Sequence, residues 1–184
     1  MNQHRLQSNL SFRLMALEFQ LRDWLRPPVK ILQDAGIQSG MSVLDFGCGP
    51  GGFTLAASRL VGPEGLVYAV DIHPLALKLV KQAADKQGLK NIQTVLESNL
   101  DEVEAASMDI VLLYDVLHCL PHPRWTLMKL NRLLKPKGVL SVSDHHMKEE
   151  KLLSTVTGCD FTRLPGNSRW TLQFQKSEMS GEAI

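Results

Sequence analysis

The chain reads as an α/β protein built on a mainly parallel sheet with helices on both faces. Three observations carry that reading. From residue 41 onward, short apolar runs alternate with helical segments at the length of repeated βα units. Residues 43–52, Val-Leu-Asp-Phe-Gly-Cys-Gly-Pro-Gly-Gly, run from an apolar strand straight into a glycine-rich turn. Near the C-terminus the pattern changes: strand-like stretches at 159–164 and 169–175 flank Pro165-Gly166-Asn167-Ser168, a hairpin signal that adds an antiparallel strand.

Taken in order, residues 1–10 are polar and loose. Over 11–26, Leu14, Leu17, Leu21, Trp24 and Leu25 recur at helical spacing, with Phe12, Met15 and Phe19 beside them. Pro27-Pro28 stops that helix and starts a second over 29–35, which Gly36 ends. These two N-terminal helices cap one side of the sheet; a more functional version makes the first a lid whose aromatic residues wall a substrate pocket. Strands follow at 42–46, 66–71, 92–96, 109–114 and 138–143, with helices at 52–61, 74–87, 123–134 and 148–156. Leu133-Leu134-Lys135-Pro136-Lys137-Gly138 forms a helix end and a turn into the fifth strand. The expected organisation is one domain: N-terminal helices over 1–36, a Rossmann-like core over 41–175 and a polar tail over 176–184.

Composition bounds the function. A length of 184 residues suits one domain with a sizeable core, and a formal net charge of +1 gives no electrostatic pointer to nucleic acid. Cys48, Cys119 and Cys159 are widely spaced and odd in number, so no disulfide framework is implied. Arg5 and Arg13 interrupt the first twenty residues, which lack the apolar core of a signal peptide, so none is expected there, and no apolar run reaches membrane-spanning length. A reduced, soluble, cytoplasmic protein is expected.

The glycine turn carries the chemistry. Gly47, Gly49 and Gly52 fit the spacing G-x-G-x-x-G, which alone is a weak signal for a nucleotide-like ligand. Asp45 lies two residues before it, where a phosphate would gain nothing from a second negative charge but a cationic group would. The second strand ends in Asp71, at the place where an acid accepts hydrogen bonds from ribose hydroxyls. Carboxylates at both strand ends suit a ligand with a nucleoside sugar and an ammonium group and without phosphates. S-adenosylmethionine has those properties.

Four ordered segments then resemble the class I S-adenosylmethionine-dependent methyltransferases: residues 43–51, residues 67–74 (Val-Tyr-Ala-Val-Asp-Ile-His-Pro), residues 108–118 (Met-Asp-Ile-Val-Leu-Leu-Tyr-Asp-Val-Leu-His) and residues 133–140 (Leu-Leu-Lys-Pro-Lys-Gly-Val-Leu). The resemblance spans roughly residues 28–175 and implies a seven-stranded sheet ordered 3-2-1-4-5-7-6 with strand 7 antiparallel. It further implies that Asp45 and the turn Gly47, Cys48, Gly49, Pro50 and Gly51 surround the methionine part of the cofactor. By the same resemblance Asp71 holds the ribose and Ile72 packs on adenine. The family usually has an acid after strand 3 for the adenine amino group; here Asn99 stands at the best-matched position, with Ser98 as the near alternative. Tyr114 and Asp115 would face the sulfonium and the acceptor.

On the acceptor side, Asp115 and His118 are three apart and could share a helical face. His118 has either a proton-transfer role or a structural one. Asp144-His145-His146 follows the fifth strand, and two readings stand side by side: a histidine such as His145 faces the acceptor, or the loop is solvated and Asp144 caps the helix from Met147. A metal site from His118, His122, His145, His146 and Cys119 is disfavoured, since Pro121 and Pro123 break the helix that an i, i+4 pair needs, and no metal is expected. Cys48 reads as a small packed residue. Cys119 leaves thiol-assisted chemistry open, but one thiol is too few for a metalloid acceptor.

The expected activity is methyl transfer to a small-molecule acceptor, with a protein or RNA target second. Short substrate segments leave the pocket open or completed by a partner subunit, so a homo-oligomer is compatible. Two other readings stand: a non-catalytic S-adenosylmethionine-binding subunit of a larger complex, and a nicotinamide-dependent oxidoreductase. The oxidoreductase shares the glycine spacing, but it leaves Asp45 badly placed beside a pyrophosphate.

Overall fold

The computed structural model describes residues 28–166, 168 and 170–177. The expected helix over 11–26, its lid version and the tail beyond 177 lie outside those residues. The elements run α1 (Pro28–Asp34), β1 (Ser42–Phe46), α2 (Gly52–Val61), β2 (Leu66–Asp71), α3 (Pro74–Lys86), β3 (Ile92–Leu96), β4 (Met108–Tyr114), α4 (Pro123–Leu133), β5 (Leu134–Ser143), α5 (Glu149–Thr157), β6 (Phe161–Arg163) and β7 (Leu172–Lys176). Short 3-10 turns occupy Glu97–Glu102 and Leu117–Cys119.

The seven strands form one sheet in the order β3-β2-β1-β4-β5-β7-β6. Strands β1 to β5 pair parallel to their neighbours, and β7 lies antiparallel between β5 and β6. The mixed, seven-stranded architecture read from the sequence is therefore the one observed.

Strand alternation explains the two-sided core. Val43, Val67, Ile110 and Leu112 point to the face covered by α1 and α2, where Leu32, Ala35, Ala56, Ala57 and Val61 pack. Leu44, Phe46, Val70, Val111, Leu113, Leu140 and Val142 point to the other face, against Leu127, Leu130 and Leu133 of α4 and Leu152 and Val156 of α5. Residues on both faces of β1 and β4 are almost wholly buried, which is why these strands read as unbroken apolar runs.

Several boundaries differ from the sequence reading, β6 and β7 among them (Phe161–Arg163 and Leu172–Lys176 rather than 159–164 and 169–175), and two of the differences have a clear physical reason. β5 begins at Leu134 rather than 138, with a register shift between the Met108 and Ile110 pairings. Pro136 cannot donate to a ladder, so the extra residues bulge and pairing resumes regularly at Val139. The second change concerns Asp144. The helix after β5 starts at Glu149 with Lys148 at its N-cap and no side-chain cap, so Asp144 does not cap a helix from Met147. Its carboxylate is taken by other donors, described below.

Because β1 to β5 are parallel, the loops that follow them gather at one edge of the sheet. The chain turns outward in opposite directions from β1 and β4, which opens a crevice between those two strand ends. Among the described residues no helix is long and apolar enough to cross a membrane.

Candidate functional site

The loop after β1 is shaped by glycine. Gly47, Gly49 and Gly51 have φ of 76°, 51° and 94°, in the region that side chains disfavour. At Gly47 a Cβ would also lie 2.3 Å from Val116 Cγ2, so the loop after β4 leans directly on this turn. The turn is docked on β2 by Gly47 N–H and Cys48 N–H, which both donate to the Val70 carbonyl at 2.8 and 3.0 Å. Gly51 is the N-cap of α2 and supplies no side-chain cap.

Two buried carboxylates flank the turn. Asp45 accepts the Thr54 hydroxyl at 2.6 Å, a bond from the first turn of α2 that fixes the carboxylate at the end of β1. Asp71 accepts the backbone N–H of Gly49 at 2.9 Å on Oδ2 and that of His73 at 2.8 Å on Oδ1. Each oxygen keeps a lone pair for a ligand hydroxyl. Burial raises the Asp71 carboxyl above the ordinary carboxylate range, and the backbone donors pull it partly back.

Cys48 is buried inside the turn, near both carboxylates. Its thiol is pushed well above its ordinary value, first by burial and then by the negative charges of Asp45 and Asp71. The thiol is therefore neutral and packed, among Ala69 and Val80, with two carboxylates beside the turn. Such a site opposes a pyrophosphate and suits a cationic ligand.

Around it, the apolar Ile72, directly after Asp71, leaves 51% of its surface exposed. Asn99 is exposed on the 3-10 turn after β3; its amide nitrogen donates to Glu102 Oε1 and its oxygen accepts from Ser98, both at 2.8 Å. Pro50 lies within the turn, partly exposed. Tyr114 is almost buried on the α2 side, edge-on to Phe53 with ring centroids 4.9 Å apart. Its hydroxyl bonds Ser141 at 2.8 Å, and burial raises its pKa strongly.

Beside the crevice, the loops after β4 and β5 exchange two carboxylate–imidazole pairs in a crossed arrangement. Asp115, at φ 53°, turns its carboxylate to accept both the backbone N–H of His145 at 3.0 Å and its Nδ1 at 2.8 Å. Asp144 in return receives His118 Nδ1 at 3.0 and 3.1 Å from its two oxygens, together with the backbone N–H groups of His118 and His146. The His118 and His146 rings stand 4.5 Å apart between centroids. Asp115 and His118, expected to share one helical face, instead each reach across to the neighbouring loop. Cys119 is exposed at the end of the same 3-10 turn. Burial raises its pKa, its own backbone hydrogen bond lowers it, and the charges of Asp144 and Asp71 raise it further.

Asp45, the turn 47–51, Asp71 and Ile72 thus gather at the ends of β1 and β2, with Asp115, His118 and His145 on the loops after β4 and β5, the first of which leans on Gly47. Sequence reasoning missed Thr54 as the anchor of Asp45, Val116 as the neighbour of Gly47, and Asp144 with His146 as partners of His118. The matched Asp and His residues in both loops were the available signal for the last of these. Among the described residues, no group of three or more ligand-type side chains converges as a metal site.

Comparison with known proteins places these features in context. Residues 37–177 match the family described as a methyltransferase domain. A demethylmenaquinone methyltransferase of Geobacillus stearothermophilus is 29% identical over 140 residues, covering 74% of this chain and 59% of that protein. A demethylmenaquinone methyltransferase of Staphylococcus aureus is 30% identical over 112 residues, covering 60% and 46%. The chain thus spans about half the length of the curated relatives it matches. A solved structure of an S-adenosylmethionine-dependent methyltransferase from Aquifex aeolicus shares the fold with a TM-score of 0.73 at 24% identity, covering 84% of this chain and 91% of that one.

Proposed function

This chain belongs to the methyltransferase-domain family, whose members are S-adenosylmethionine-dependent and Rossmann-like, and from that premise we propose that it methylates a small-molecule acceptor. The observation that carries the reading is the glycine turn set between two buried carboxylates, Asp45 held by Thr54 and Asp71 held by the N–H groups of Gly49 and His73. A cofactor bearing a sulfonium and an ammonium group fits those carboxylates, and a dinucleotide does not.

Asp45 and the turn 47–51 would hold the methionine part, with Thr54 keeping the Asp45 carboxylate in place. Asp71 would take the ribose hydroxyls on its spare lone pairs, Ile72 would support adenine, and Asn99 would offer its second amide hydrogen to the adenine edge. Tyr114 would form the floor beside Asp45, its hydroxyl already committed to Ser141. When bound, S-adenosylmethionine supplies an electrophilic methyl carbon on a positively charged sulfur. The residues' main task is alignment and exclusion of water, for which effective molarities correspond to about 7–11 kcal/mol of barrier. Asp115, His118 and His145 would line the acceptor end.

The relatives' named acceptor is a demethylmenaquinone, a small molecule, and the balanced charge of this chain favours the same class over RNA. We place the protein in the cytoplasm on the strength of its three free cysteines. The test is transfer of label from methyl-labelled S-adenosylmethionine into a small-molecule extract. Label in a low-mass product supports the proposal, and label in protein or RNA overturns the acceptor class. Tight cofactor binding with no transfer to any fraction favours the non-catalytic subunit.

A further inference from the structure

Asp144 has no solvent-exposed side chain, while 32% of the His118 side chain is exposed. Both Asp144 oxygens reach His118 Nδ1 within 3.1 Å, and the same carboxylate also accepts two backbone N–H groups. An ionised carboxylate only accepts, so Nδ1 carries the proton of the neutral ring. Nε2 is then left unprotonated, and it has no hydrogen-bond partner among the described residues. The His146 ring restricts rotation of His118 from one side.

The loop that carries this imidazole lies against the cofactor turn: Val116, two residues earlier, sits against Gly47. By contrast the His145–Asp115 pair is more open: its side chains are 59% and 19% exposed, so water competes for both.

We propose that Asp144 is a positioning residue that fixes the His118 tautomer, and that His118 Nε2 takes a proton from a hydroxyl of the methyl acceptor. This rests on the methyltransferase reading above. The acceptor O–H bond breaks, its electron pair stays on oxygen, and an N–H bond forms at Nε2. Asp144 stays ionised and faces the imidazolium, whose proton returns to solvent after turnover.

The base limits the acceptor. Ordinary phenols and imidazoles differ by about 3.5 pKa units, an unfavourable factor of roughly 3,000 that positioning can offset. A hydroxyl as weakly acidic as water, near 15.7, lies roughly a billionfold away. The acceptor hydroxyl therefore has phenol- or enol-like acidity.

The test combines spectroscopy with transfer. In nitrogen-15-labelled full-length protein above roughly pH 8, where an ordinary imidazole is neutral, His118 should show a protonated Nδ1 and a bare Nε2. Asp144→Asn should move the proton to Nε2, because the amide can donate to Nδ1, whereas Asp115→Asn should leave His118 unchanged. With catechol as acceptor, Asp144→Asn and His118→Gln should each lose roughly 10²–10⁴-fold in kcat, non-additively, with S-adenosylhomocysteine affinity retained. Transfer to 4-nitrophenol, which is far more acidic and already ionised at this pH, should be much less affected. A wild-type ring protonated at Nε2, or an Asp144→Asn variant with full turnover of catechol, overturns the assignment. No transfer to either phenol by protein that still binds S-adenosylhomocysteine rejects the acceptor class. Failure of the wild type to bind S-adenosylhomocysteine rejects the underlying function instead.

Discussion

Asp71 is the residue whose loss should be felt most at the cofactor end, and replacing it with Asn tests this most cleanly. Its carboxylate holds two backbone N–H groups, from Gly49 and His73, in a nearly buried position. Asp71→Ala would leave both donors unpaired at about 1–3 kcal/mol each, enough to confuse binding with unfolding. Asp71→Asn keeps the shape and one acceptor oxygen but removes the charge. Charge-assisted hydrogen bonds contribute about 1.5–3 kcal/mol, so S-adenosylhomocysteine affinity should fall by roughly 10- to 150-fold. Calorimetric titration measures it, with a thermal melt to show that the variant is folded.

The pH dependence follows in sign. Burial raises the Asp71 carboxyl above its ordinary 3.8, whereas ribose hydroxyls bind its ionised form. Affinity should therefore be flat above the raised pKa and weaken as pH falls through it, approaching about tenfold per unit. For the ligand-free protein the sign reverses. Between the unfolded and the raised folded pKa the native state binds more protons, so the Asp71 contribution to stability declines as pH rises through that window. An Asp71→Asn variant that binds within about threefold of wild type, or equal losses in His118→Gln and His145→Gln, would refute the placement of the ribose.

Three other outcomes are expected. Gly47→Ala should cost about 1–2 kcal/mol from its left-handed backbone alone, plus displacement of Val116, and adding Val116→Ala should recover part of the melting temperature. An unchanged melt for Gly47→Ala would contradict the contact. A thiol reagent should modify exposed Cys119 well before Cys48, whose thiol is buried and held neutral by two carboxylates, and S-adenosylhomocysteine should slow the Cys119 reaction; equal rates in the folded protein would contradict it. Phe174→Ala should destabilise by about 3–5 kcal/mol in urea titration, since this β7 side chain is fully buried beside Leu140. A loss under about 1 kcal/mol would mean that β7 does not pack there.

The strands were legible where physics is local. β1, β2 and β3 are apolar runs bounded by glycine, proline or acids, and their limits coincide with the sequence reading. β5 was not, because Lys135-Pro136-Lys137 has the composition of a turn and becomes extended only through pairing with β4 across a register shift. The glycine turn and its two acids were readable because each acid lies at the end of an apolar strand, and adjacent parallel strands set those two ends side by side. The crossed Asp–His pairs were not. Their members are 26 and 30 residues apart, and whether Asp144 caps a helix or holds His118 depends on how closely two loops approach. The candidates Asp115, His118 and His145 could be named, but not their partners.

Calorimetric titration of the cofactor-free protein with S-adenosylhomocysteine, with NADH run as the control, tests the methyltransferase assignment most directly. The methyltransferase assignment predicts saturable binding of S-adenosylhomocysteine and none of NADH. Binding of NADH alone would contradict it.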